Sequence, residues 1–131
     1  MGKENWRERT KRIIEAYPAL LREKAEIQAA RITPAYNSMP GSHEASRTTE
    51  GTALQTLPPE SQRMLDAVER AIATTGRYRN SHHRLRVVDL VYWKRTHDLQ
   101  GAAIMCHYSY DTVQEWNADF IELVDAYYRI P

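Results

Sequence analysis

Cysteine is almost absent from this chain: Cys106 is the only one in 131 residues. A single thiol excludes an intramolecular disulfide and any paired-cysteine zinc motif, and it suits a reducing cytoplasm. Long apolar runs are missing too. Hydrophobic residues make up 42% of the chain and the mean hydropathy is −0.66, but nothing approaches the roughly 20 consecutive apolar residues of a membrane helix. The opening MGKENWRERTKR is charged and leads into no apolar core, so it does not read as a signal peptide. No glycine-rich phosphate loop is present. An excess of one charge is lacking as well, with 18 Lys and Arg against 17 Asp and Glu. That balance by itself does not point to nucleic acid.

The histidines and the few nucleophiles form no recognisable site. His82 and His83 are adjacent and would face different sides of a helix. His97 and His107 are ten apart with Cys106 between them, which is not metal-ligand spacing. Ser42, His43 and Glu44 are consecutive, so their side chains diverge. The expectation is a protein that is not an enzyme and that carries no cofactor and no metal.

What the chain does have is charge sorted along its length. Residues 1–31 carry eight Lys or Arg against five acids, and residues 77–97 carry six against one. Residues 32–76 are acidic by two, and residues 98–131 hold one Arg against six acids. Glu4–Ile32 is rich in helix formers, with Ile13, Ile14, Tyr17, Leu20, Leu21, Ile27 and Gln28 at helical spacing. Pro18 should kink or restart this helix. Thr33–Leu57 is rich in Ser, Thr, Pro and Gly and reads as a polar linker, with Arg47 and Glu50 able to dock it locally. Pro58–Thr75 reads as a helix with prolines in its first turn and Met64, Leu65, Val68, Ala71 and Ile72 inward. A further helix starts near Ser81, with Leu85, Val88, Val91 and Tyr92 inward.

The last stretch, Asp98–Tyr128, reads as a helix-turn-helix. A short helix of about Asp98–Cys106 turns inward Leu99, Ala102, Ala103 and Cys106. His107 and Tyr108 make the turn, and Ser109 is an N-cap whose oxygen can accept from an orphan backbone N–H. Asp111 suits the first turn of the longer helix. Val113, Trp116, Phe120, Leu123, Val124 and Tyr127 form its apolar face. The expected fold is all-α, with about five helices. It comprises an N-terminal helical arm (1–32) kinked at Pro18, a linker (33–57), and a trihelical helix-turn-helix core (58–131).

Several features in order resemble the RinA-type transcriptional activators of bacteriophages, which are related in plan to the ArpU-type late regulators. They are Tyr17-Pro18 in the first helix, Thr33-Pro34 at its end, Thr48-Thr49-Glu50 closing the linker, and Ser109, Thr112 and Val113 in a helix-turn-helix like that of sigma-factor region 4. The resemblance spans nearly the whole chain. It implies activation of late phage genes in the cytoplasm of a bacterial host, with double-stranded DNA as ligand and RNA polymerase as a possible partner.

On the residues, base contacts fall to Ser109, Tyr110, Gln114 and Asn117, exposed near the start of the second helix. Phosphate contacts fall to Arg77, Arg79, Arg84, Arg86, Lys94 and Arg95, interleaved with Tyr78 and Trp93. The acids Glu115, Asp119, Glu122 and Asp125 depart from a DNA reader's pattern, because carboxylates facing phosphate are repelled. Two other classes fit the same sequence. One is a small terminase subunit that recognises phage DNA for packaging and oligomerises. The other is a protein-interaction module that binds RNA polymerase through its acidic last helix and no DNA. The N-terminal helices either complete the core of the C-terminal bundle or offer a surface for homo-oligomers or another partner.

Overall fold

A computed structural model describes residues 2–37 and 56–130, with side chains described for 5–30 and 56–130. Thr48-Thr49-Glu50, Arg47 and the Ser42-His43-Glu44 run lie outside the described residues. Among those described the fold is all-α, with five helices: α1 (Gly2–Asn37), α2 (Pro59–Thr75), α3 (Ser81–Val88), α4 (Leu99–Cys106) and α5 (Tyr110–Arg129). No helix among them is long and apolar enough to cross a membrane.

Helix α1 does not restart at Pro18 and runs on beyond Ile32. It continues through Pro18 and ends at Asn37, five residues beyond Ile32 and past Thr33-Pro34. Proline has no N–H for the carbonyl four residues back, which here is Ile14. The indole Nε1 of Trp93 donates to that carbonyl at 3.0 Å. The Tyr17 ring stacks on Trp93 at 5.2 Å and closes the contact. A partner from elsewhere in the chain therefore takes over the bond that proline removes, and the helix carries on.

Trp93 is brought there by the end of α3. The helix widens into a π-helical turn, Asp89–Trp93, in which Lys94 N–H reaches the Asp89 carbonyl five residues back at 2.7 Å. The extra residue per turn shifts the register, so Leu90 and Tyr92 are both buried. The sequence pattern groups Trp93 with the basic residues of a phosphate surface; it instead packs half-buried against α1.

One large core joins α1, α2, the end of α3 and α5. It holds Ile13, Ile14, Ala67, Val68, Ala71, Val88, Tyr92, Phe120, Ile121 and Val124. A second cluster packs α4 between α3 and α5 through Val87, Leu90, Ala102, Ala103, Cys106, Val113 and Trp116. A third ties Leu57 and Leu65 to Leu20 of α1. The first half of α1 is thus part of the main core. Asp125 is buried on α5 and accepts from Arg9 of α1 and from Arg129, each at 3.0 Å, which satisfies a carboxylate that would be costly to bury alone.

Candidate nucleic-acid interface

Helices α4 and α5 are joined by three residues. Asp98 caps α4, its Oδ1 accepting from Gly101 N–H at 2.8 Å. At the other end His107 adopts the left-handed conformation, φ 64 and ψ 41. Tyr108 N–H then reaches the Ala103 carbonyl at 3.0 Å and His107 N–H reaches Ile104 at 3.2 Å. This pair of bonds is a Schellman stop, in which glycine is the usual left-handed residue. Ser109 caps α5 as its sequence position suggests: Oγ accepts from Thr112 N–H at 3.1 Å and donates to Thr112 Oγ1 at 2.9 Å. Tyr108 packs edge-on to Trp116 and against His83, which fixes the turn against both α3 and α5.

The four expected base-reading residues are not equivalent. Ser109, Tyr110 and Gln114 are exposed at the head of α5. Asn117 is half-buried, and its Oδ1 accepts the hydroxyl of buried Tyr92. Asn117 lies four residues from both Val113 and Ile121, so it shares their inward side. It belongs to the packing of the π-helical turn. Burial pushes the Tyr92 hydroxyl up to about 12.

The cationic set also divides. Arg77 and Arg79 are exposed in the loop between α2 and α3, and Arg86 is exposed on α3. Lys94 is exposed and pairs with Asp89 at 3.1 Å. Arg95 is exposed in a left-handed conformation, φ 58. Arg84 is different. Its guanidinium lies over the rings of Tyr78 at 4.9 Å and Trp116 at 5.5 Å, and it pairs with Asp119 at 3.3 Å. Its side chain is 20% exposed. Spacing of three and four to Val87 and Val88 puts it on the inner face of α3, a signal present in the sequence.

The acids of α5 divide in the same way. Asp125 is turned inward onto Arg9 and Arg129. Asp111, Glu115, Asp119 and Glu122 are exposed, and their spacing of four, four and three draws one acidic stripe down the helix. On α4, Ile104 is 70% exposed and Met105 is also exposed, close in sequence to exposed Tyr110. The sequence carried the signal: the inward set Leu99, Ala102, Ala103 and Cys106 leaves Ile104 and Met105 on the opposite side of the helix. Among the described residues no group of three or more His, Cys, Asp or Glu is placed to hold a metal ion.

Family models, curated proteins and solved structures were compared with this chain, and none matches it.

Proposed function

We propose that this chain is a sequence-specific DNA-binding regulator of transcription, a late-gene activator of a phage or prophage of the RinA kind. In this reading residues 58–131, which hold α2 to α5, are the DNA-binding domain, with α4 and α5 as its helix-turn-helix and α5 in the major groove. The observation that carries it is the head of α5: a serine-capped helix, set against α4 by a three-residue turn, with Tyr110 and Gln114 outward. A glutamine there can offer an amide oxygen and nitrogen to the adenine edge. Arg77, Arg79, Arg86, Lys94 and Arg95 supply exposed cations for the phosphates.

The test is retention of genomic DNA fragments from the source at several salt concentrations. One fragment held tightly against excess bulk DNA supports the reading, and Gln114→Ala should then cost about 1–3 kcal/mol at one base position. Equal weak binding of all fragments by a large multi-copy ring would point instead to a packaging subunit.

A second reading is favoured by the acidic stripe Asp111, Glu115, Asp119 and Glu122. Here α5 is a protein-binding helix that engages a basic surface of RNA polymerase, and duplex DNA is not a ligand. Failure to retain any duplex even at low salt, together with capture of polymerase, is the outcome this reading requires.

A further inference from the structure

We infer that Arg84 is a positioning residue for the phosphate-binding cations, an inference that rests on the DNA-binding reading above. The loop between α2 and α3, residues 76–80, carries exposed Arg77 and Arg79 on either side of Tyr78. The Tyr78 ring lies against the Arg84 guanidinium, whose other neighbours are the Trp116 ring and the Asp119 carboxylate of α5. Tyr78, Arg84 and Asp119 line one groove beside α5 together with Glu122 and Leu123. A second tie holds the loop's far end: Tyr108 Oη donates to Asn80 Oδ1 at 3.4 Å. The loop's backbone is anchored on α2 by Arg77 and Tyr78 N–H groups on the Thr74 and Thr75 carbonyls.

The loop is therefore held to α5 by a stack of Tyr78, Arg84 and Trp116, with Asp119 fixing the cation between the rings. A planar guanidinium does this and an ammonium does not, because it lies over two rings while one of its nitrogens, Nη1, donates to Asp119 Oδ2 at 3.3 Å. Arg84 is already committed to Asp119 and two ring faces, so its role is to set where Arg77 and Arg79 stand relative to the reading helix. Fixed cations lose less on meeting phosphate than mobile ones.

The experiment measures the salt slope of binding to a dye-labelled, mixed-sequence duplex of about 30 base pairs, for which the slope counts neutralised phosphates. The full-length chain is used, and circular dichroism and thermal unfolding check each variant. The double variant Arg77→Ala, Arg79→Ala should lower the slope by about two. Tyr78→Leu alters no charge, yet it should lower the slope by one to two, speed amide exchange across residues 77–80, and add no further loss in the double-variant background. Arg84→Lys keeps the charge and should behave as Tyr78→Leu does, which serves if the tyrosine variant folds poorly. If wild type binds with a clear slope while Tyr78→Leu or Arg84→Lys leaves it unchanged, the inference is overturned and the DNA-binding reading stands. The inference is likewise overturned if their losses add to those of the double variant. If wild type binds no duplex, both fall together.

Discussion

Pro18 has no N–H to give, and the carbonyl it leaves in need is met by a side chain 79 residues further on, Trp93. An unsatisfied buried carbonyl costs about 1–3 kcal/mol. Trp93→Phe should therefore destabilise the protein by an amount in that range, read from urea unfolding. Pro18→Ala restores the local donor, so Trp93→Phe should cost less in that background, and a cycle with no coupling would refute the account. Residues whose role is set by near neighbours were legible in the sequence. Ser109 is the example, since a cap needs only the N–H three residues on. The inward side of Asn117 and Arg84 was legible from their spacing to buried neighbours, but the partners that they and Trp93 meet were not, because these come from remote parts of the chain: Tyr92, the Tyr78–Trp116 stack and Ile14.

Three non-glycine residues are left-handed among those described, Asn80, Arg95 and His107, and the last lies in the turn between α4 and α5. His107 occupies the left-handed position with a Cβ that glycine would lack. His107→Gly should stabilise the protein by roughly 0.5–1 kcal/mol, because relief of that conformation outweighs glycine's extra freedom when unfolded. A lowered urea midpoint would mean that the imidazole has a contact the turn needs. Starts and stops of the short helices followed from sequence closely: Pro58 and Pro59 open α2, Gly76 ends it, and Asp98 and Ser109 stand just before α4 and α5. The π-helical turn Asp89–Trp93 left no such mark. Its residues satisfy an α-helical pattern, and the side chains the wider turn presents find remote partners, Trp93 on Ile14 of α1 and Tyr92 on Asn117 of α5. The passage of α1 through Pro18 was illegible for the same reason, since a helix former's periodicity cannot report a rescuing donor elsewhere.

For the molecule as a whole, buried Tyr92 and half-buried Tyr17 make stability depend on alkaline pH. Burial raises Tyr92 from 10 to about 12 and also raises Tyr17. Below pH 10 both states keep these protons and the contribution is intact. Between 10 and about 12 the unfolded chain gives up the Tyr92 proton while the folded one retains it, so stability falls as pH rises. Urea midpoints across that window should decline for wild type and decline less for Tyr92→Phe. An equal decline in both would assign the alkaline loss to other groups. The all-α class was legible, because helical periodicity runs through nearly every described segment. The way α1 joins the core was not, since periodicity gives a face but not its neighbour. Ile13 and Ile14 are covered by Ile121 and Val124, more than 100 residues later. On a ribosome, then, the apolar stripe of α1 emerges long before the helix that covers it has been made. The main core closes only after α5 leaves the exit tunnel, so each nascent chain carries that stripe without its native cover for most of its synthesis.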